Sequence, residues 1–564
     1  MSAETILPSE SSDSSSNPST KCEDSDSTES GDSTNTLLDK TVSKDCVENG
    51  GDVKHTREWK GKKIVCCNPV GQCVWGVVFI ILSVTGFVFT PLDFMLWEKL
   101  QMRPGLPPYE WWADPPDEVK MRAYLFNVTN HERFLEGLDD KINVDEIGPI
   151  VYLEKLLHSN IKFNENSTMT YTAKRFLIFL PEENTVDFNA TLIVPNLAVL
   201  GLASYLHNAN YLVRQAFRFM VSTHGSKLFV KKTIQEYLWD FRDPVLDTSK
   251  NLAPGLVPVN NMGIMARIYA DFTDEMTVMI GSQWGHEHFF QIEKFRGNPQ
   301  LPGYDAKECP DRIFGSTEGV MYQQHLTKSD VLLYWRKTVC KLMPLYFDSE
   351  VTLASVPLYR YNLSESVHER VSNETDCYDT HPSLPDGISD ASKCYFDFPM
   401  TSSYPHFYTG GIPKDHFVTG LKPDRMKHNS YVIVEPLTGT PFHSVARMQS
   451  NLRVHDLSGF SDEYDRFSNL IIPLFWCEYN QEDLPSKIKW TIYFTVVILP
   501  PLSIGLSSAL IILGFYLITK NMFYRELSND KLKNFLHFKS KNVNTLAKNT
   551  IFTYEKEKFL KGVS

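Results

Sequence analysis

The stretch VWGVVFIILSVTGFVFTPL (residues 74–92) and its counterpart WTIYFTVVILPPLSIGLSSALIILGFYLIT (residues 490–519) decide the architecture of this chain. Neither contains a charged residue, and each reaches about the 20 residues that carry an α-helix across about 30 Å of hydrocarbon. A core helix of a soluble domain rarely stays uncharged for so long. A secretory signal is also a poor reading of the first run, which begins over seventy residues into the chain and offers Thr90-Pro91-Leu92 where a cleavage site would need small residues. Both runs read as retained membrane spans, at 74–94 and 490–519. Pro500 and Pro501 predict a kink in the second, because proline lacks the amide donor and crowds the preceding turn.

Working outward, the flanks set the orientation. Lys54, Arg57, Lys60, Lys62 and Lys63 precede the first span against Glu58 alone; Lys520, Arg525, Lys531, Lys533, Lys539 and Lys541 follow the second against Glu526 and Asp530. Basic residues beside a span favour the cytosolic side, so both termini are expected in the cytosol and residues 95–489 outside it. The Asn-x-Ser/Thr acceptors Asn127, Asn166, Asn189, Asn362 and Asn373 all fall in that loop, whereas Asn17-Pro18-Ser19 is disqualified by its proline.

The formal charge of −12 is unevenly spread. Residues 1–53 are rich in Ser, Thr, Asp and Glu and too poor in apolar side chains to fold, so 1–73 reads as a disordered acidic tail ending in a basic juxtamembrane segment. Residues 520–564 form a basic tail in which Phe535, Leu536 and Phe538 suggest a short amphipathic piece on an anionic leaflet. Of ten cysteines, Cys22, Cys46, Cys66, Cys67 and Cys73 lie on the reducing side or at the membrane edge, and the last three are candidates for S-palmitoylation. Cys309, Cys340, Cys377, Cys394 and Cys477 lie in the oxidising compartment, an odd number that leaves one over. Tyr524-Arg525-Glu526-Leu527 fits a tyrosine-based sorting pattern, with Tyr524 and Leu527 as its key residues.

Within the loop, strand-like segments dominate. Residues 175–180 and 185–194 flank a Glu-Glu-Asn turn and read as a hairpin; 351–361, 431–435 and 444–454 are further strands. A helical island occupies 196–239, with Asn196 capping LAVLGLASYL, Asn210 opening YLVRQAFRFMVS and a third helix over KKTIQEYLW. Arg214, Arg218, Lys227, Lys231 and Lys232 cluster there. They are either the wet faces of amphipathic helices or a surface for an anionic head group or acidic partner.

No catalytic constellation is visible in the sequence. Gly281-Ser282-Gln283-Trp284-Gly285 misplaces its serine for a nucleophile elbow. His286 and His288 share a face if extended but have no second ligand pair, and a solvated polar strand is the better reading. Acidic pairs such as Asp139-Asp140 and Glu182-Glu183 sit in turn-like contexts. The reading is of a non-enzyme that calls for no cofactor, metal or nucleic acid.

The segment LWDFRDP (238–244) resembles the signature of the class B scavenger receptor family. YLFNVTN (124–130), GPIVY (148–152), VPLYRY (356–361), PHF (405–407), EPLTG (435–439) and IPLFW (472–476) agree with that family in order, over roughly residues 74–520. The resemblance implies an α+β membrane protein: an antiparallel β-barrel-like ectodomain at 95–489, an apical helical bundle at 196–239, an apolar tunnel and two membrane helices. It implies a receptor that binds fatty acids, sterols, phospholipids or lipoproteins and passes lipid to the bilayer, a transfer that needs no covalent step. The alternative is a receptor for protein cargo, in lysosomal enzyme sorting or adhesion, through the apical helices. By family position Cys309 pairs with Cys377 and Cys340 with Cys394, a third bridge is missing, and Cys477 is unassigned. Some members place a lysine at the mouth of the lipid path where this chain has Thr223; Lys227 is the candidate replacement. Expected placement is the plasma membrane, with endosomes or lysosomes as the alternative, and homo-oligomerisation is left open.

Overall fold

A computed structural model describes residues 69–88, 94, 98–115, 119–269, 273–304, 309, 311–370, 377–379, 383–413 and 415–560. Asn373, Cys66 and Cys67 lie outside them. The strands are β1 (Val119–Val128), β2 (Val144–Phe163), β3 (Thr168–Phe179), β4 (Thr191–Pro195), β5 (Phe229–Thr233), β6 (Thr273–Met279), β7 (Ile292–Phe295), β8 (Leu332–Arg336), β9 (Lys341–Leu353), β10 (Val356–Leu363), β11 (Ile388–Asp390), β12 (Met400–Ser403), β13 (Tyr431–Val434), β14 (Pro441–Arg453) and β15 (Ile471–Gln481).

Thirteen of them form one antiparallel sheet in the order β7-β6-β3-β2-β1-β15-β14-β13-β10-β9-β8, with β12 and β11 appended to β14. The first and last strands are therefore neighbours, in register from Val119↔Gln481 to Leu125↔Phe475. Residues 315–317 join the two edges. Ile292 donates its N–H to the Ser316 carbonyl (2.7 Å) and Thr317 donates to Leu333 (2.8 Å), while Trp335 donates back to Thr317 (2.8 Å). Joining the edges removes the unpaired backbone that an open sheet of this width would expose. In β15 every residue except Asn480 is buried, the pattern of a strand covered on both faces.

The helices are α1 (Pro69–Val88), α2 (Pro107–Ala113), α3 (Leu197–Tyr205), α4 (Tyr211–His224), α5 (Ile234–Trp239), α6 (Pro244–Leu252), α7 (Ile264–Tyr269), α8 (Ser486–Tyr493) and α9 (Leu499–Leu560), besides three shorter ones. α3 is apolar all round and buried along nearly its whole length, as expected of a core helix. Gly201 on it lies flat against the Phe398 ring, where any side chain would collide.

Both caps expected of the helical island are present: Asn196 accepts from Ala198 and Val199, and Asn210 accepts from Val213. The third helix is shorter than expected. Phe229–Thr233 pairs with β4 as strand β5, and α5 starts only where Thr233 and Glu236 form a reciprocal capping box. Lys231 and Lys232 therefore sit on a strand rather than a helix.

The hairpin expected across residues 175–194 does not form. β3 pairs with β2 and β6, while β4 pairs with β5 in a separate two-stranded sheet. The Glu-Glu-Asn turn exists, but Asn184 uses its amide to bond both Val151 and Leu180 rather than to return the chain. The single strand expected at 351–361 is a hairpin instead: Ala354 and Ser355 both have positive φ, and Val356 turns back onto Leu353. His286 and His288 belong to a turn, not a strand; their Nδ1 atoms bond Gln324 (3.0 Å) and Gln291 (2.9 Å).

The two long apolar helices pack on each other. α8, a π-turn at Phe494–Ile498 and α9 follow one another without a break. The wider turn immediately precedes Pro500 and Pro501, the usual way a helix accommodates missing amide donors. α9 runs on beyond the apolar stretch to Leu560, carrying Phe535, Leu536 and Phe538 exposed. Two helices near the two ends, each long and apolar enough to span, fit a double-pass membrane protein.

Candidate functional site

Alternation along the strands builds an inward face: Glu154 and Leu156 on β2, Ala173 and Arg175 on β3, Tyr334 and Arg336 on β8, Met343 and Leu345 on β9, Tyr479 and Gln481 on β15. Except for Ala173, these side chains wall a cavity of about 360 Å³, within the range of roughly 300–1,000 Å³ typical of ligand pockets. One end is apolar, with Met343, Leu345, Leu363, Val432 and Met448. It is bounded by Trp111 and Trp112 of α2, by Leu484 just before α8 and by Ile488 of α8. Trp111 packs in the same apolar cluster as Ile488 and Ile492. The segments leaving the first span and entering the second thus form part of the cavity wall.

The other end is polar. Arg175 donates to Glu154 (2.9 Å) and Glu318 (3.2 Å), whose remaining oxygens accept from Tyr269 (2.6 Å) and Tyr171 (2.5 Å). Burial works against the Arg175 charge, but these two carboxylates more than offset it. Burial and the Glu318 carboxylate push the Tyr171 phenol well above its ordinary range, so it stays a donor. Arg336 donates to the Tyr334 hydroxyl (3.0 Å) and lies 4.2 Å from the Tyr479 ring centre. Glu154, Arg175, Glu318, Tyr334, Arg336 and Tyr479 also wall a smaller space of about 50 Å³, so they form a partition within the interior.

A separate apolar cavity of about 90 Å³ lies at the helical cluster. Leu197 and Leu202 of α3, Leu246 of α6, Ile264 and Ile268 of α7, and Leu474 and Phe475 of β15 contribute to it.

The partition leaves almost no trace in the linear pattern of residues. An arginine closing the apolar strand LLYWR was the one available signal, and it reads equally as a strand end. The five basic residues singled out from sequence line none of these three cavities. Arg214 lies over the Phe460 ring and Arg218 bonds Gln215, both half-buried. Lys227 and Lys231 are exposed, and Lys232 reaches the Arg242 carbonyl. Asn166 and Asn189 are exposed, while Asn127 and Asn362 are half-buried, their side-chain oxygens accepting from Ile193 and Arg360. Tyr524 and Leu527 are exposed on α9, and Cys73 is half-buried on α1.

The recurrent motifs hold the scaffold together. Asp243 of LWDFRDP caps α6 and accepts from Asn196 and Ser226. Trp239 donates to Tyr152 of GPIVY (2.9 Å). Trp476 of IPLFW and His406 of PHF meet on Glu146, and Glu435 of EPLTG folds back to accept from Leu437 and Thr438. Disulfides join Cys309 to Cys377 and Cys340 to Cys394, with Cα separations of 5.1 and 5.8 Å. Cys477 is a free, buried thiol, pushed up to about 11 by burial. The hydroxyl–imidazole pair Ser204–His455 (2.8 Å) is no nucleophile: Ser204 is fully buried and donates to the Arg453 carbonyl.

Known proteins are similar to this chain over most of its length. Scavenger receptor class B member 1 of Bos taurus is 24% identical over 463 residues, covering 81% of this chain and 89% of its own length. The Rattus norvegicus protein of that name is 25% identical over 469 residues, covering 82% and 90%. Lysosome membrane protein 2 of Mus musculus is 25% identical over 448 residues, covering 76% and 91%. With the CD36 family profile matching residues 74–524, from the first span to just past the second, the chain belongs to the CD36 family of class B scavenger receptors.

Proposed function

We propose that this protein is a double-pass, non-enzymatic receptor that binds lipids or lipoproteins and passes lipid through its ectodomain to the bilayer. The observation that carries the reading is the 360 Å³ cavity whose apolar end is walled by Trp111 and Ile488, each on a segment adjoining a span. An acyl chain in water carries a penalty of about 0.8 kcal/mol per exposed methylene, so an apolar route to the membrane is a physical requirement for moving it. The helices at 196–239 form the membrane-distal cap, and the space at α3 is the upper part of the route. Both termini face the cytosol. Asn127, Asn166, Asn189, Asn362 and Asn373 carry glycans, Cys66, Cys67 and Cys73 take palmitoyl chains, and Tyr524 with Leu527 directs sorting. Lys227 sits at the entrance. Expression in cells is expected to raise uptake of labelled fatty acid, sterol ester or lipoprotein, and Met343→Trp, which fills the cavity, to abolish the gain at unchanged surface level. No gain with any of these lipids rejects transport.

A second reading, a receptor for protein cargo, draws on α4. Leu212 (75% exposed) and Phe219 (74%) share one face of it seven residues apart. Leu212→Asp with Phe219→Asp would abolish cargo binding and leave lipid uptake intact.

A further inference from the structure

Four cations border the large cavity: Lys155, Arg175, Arg336 and Arg447. Three have their charge accounted for. Lys155 is half-exposed and solvated, Arg175 is held by two carboxylates, and Arg447 is paired with Glu478 at 2.7 Å. Arg336 differs. It is 8% exposed, and among the described residues it has no carboxylate partner; it donates to the uncharged Tyr334 hydroxyl and lies beside the Cys477 thiol. A guanidinium carries five N–H donors and cannot shed its proton, so neutralisation is closed to it. Desolvating such a charge without a counter-ion is expensive, by several kcal/mol. Glu154 and Glu318 do not supply the missing acid: both form their ion pair with Arg175, at 2.9 and 3.2 Å, and accept besides from Tyr269 and Tyr171.

We infer that Arg336, at the polar end of the cavity, is the head-group site for a long-chain carboxylate whose hydrocarbon tail lies toward Met343, Leu345 and Ile488. The inference rests on the reading of the cavity as a lipid site and adds the charge class of its ligand. A carboxylate matches a guanidinium in charge and in forked geometry. It brings one negative charge to one unpaired positive charge, whereas a phosphate monoester leaves a second charge buried without a partner. The Tyr479 ring beneath the guanidinium plane fixes that plane and leaves its edge for the ligand.

The test uses the full-length receptor, purified and reconstituted in nanodiscs, and four probes of equal chain length: oleate, methyl oleate, oleyl alcohol and oleyl phosphate. Oleate is expected to bind at least tenfold more tightly than methyl oleate and oleyl alcohol, and more tightly than oleyl phosphate. Arg336→Met is expected to lose that tenfold preference while keeping the affinity for oleyl alcohol, which also reports that the variant is folded. Arg336→Lys, with a compact charge in place of the fork, is expected to retain part of it. Equal binding of oleate and methyl oleate by the unaltered receptor overturns the inference and leaves the lipid cavity standing, and that comparison depends on no variant. Oleyl phosphate binding as tightly as oleate overturns the carboxylate assignment. Binding of none of the four overturns both the inference and the lipid reading.

Discussion

Gly76 and Gly514 each place a backbone carbonyl where the other residue's side chain would begin: a β-carbon on Gly76 would stand 2.8 Å from the Gly514 oxygen, and one on Gly514 2.7 Å from the Gly76 oxygen. The two apolar helices approach so closely because neither carries a side chain there. Lipid offers no hydrophobic drive for helices to associate, so contact of this kind is what holds them together. Seven residues further along α1, Ser83 donates to the Ser507 carbonyl.

Gly514→Leu is therefore expected to separate the pair. Cysteines placed at 83 and 507 in a Cys73→Ser background should cross-link readily in the otherwise native chain and several-fold less with Gly514→Leu. An unchanged yield would mean the helices are held by something else.

The buried Asn196 ties α3, the Lys227 carbonyl and Asp243 into one node. Asn196→Ala removes a helix cap and strands the Lys227 and Asp243 acceptors, an expected loss of about 2–4 kcal/mol. Thermal unfolding of the full-length receptor in detergent should show a fall of several degrees.

Breaking the Cys340–Cys394 bridge frees a loop of 54 residues. Chain entropy puts the loss at about 4 kcal/mol. The Cys340→Ala, Cys394→Ala double variant should melt well below the native chain, and the gap should vanish when both are measured in reductant.

His428 is pushed down to about 4, first by burial and then by the facing His406 imidazole, against the opposing pull of Glu146 and Asp424. Arg447 adds to the depression. Between the ordinary histidine value of 6.5 and about 4, the unfolded chain takes up a proton that the folded chain refuses. Stability is thus whole above pH 6.5 and falls by about 3 kcal/mol as pH drops through that window. His455, also pushed to about 4 by burial and then by Arg453, acts in the same direction. The melting temperature should decline from pH 6.5 to 4, less steeply in His428→Gln, whose amide oxygen can still accept from Asp424. Identical slopes would show that His428 does not titrate with unfolding.

The spans and the helix caps were readable in the chain because their signals are local: an uncharged run, or an asparagine before an apolar period. The failed hairpin at 175–194 shows where local reading stops. Residues 168–179 carry strand character, but their partners are β2 and β6, and β6 is contributed by residues about a hundred positions downstream. The partition was hidden for the same reason. Glu154, Arg175, Glu318 and Arg336 come from four separate segments, and each alone looks like a surface charge. Lys227 is marked in the chain by its charge and its nearness to a family position, whereas Arg336 is marked by burial and by having no carboxylate ion-pair partner among the described residues, which only three dimensions reveal.

The adjacency of β1 and β15 has a consequence for biosynthesis. β1 emerges from the ribosome early, yet its partner across Val119↔Gln481 is not translated until the ectodomain is almost complete. At about 5–20 residues per second the wait is roughly 20–70 s, during which one edge of β1 stays unpaired. An unpaired edge of that kind is a template for pairing with the wrong strand until β15 arrives. A nonsense mutation anywhere before residue 471 removes β15 and with it the closing partner of both β1 and β14, so late truncations are expected to be degraded as completely as early ones.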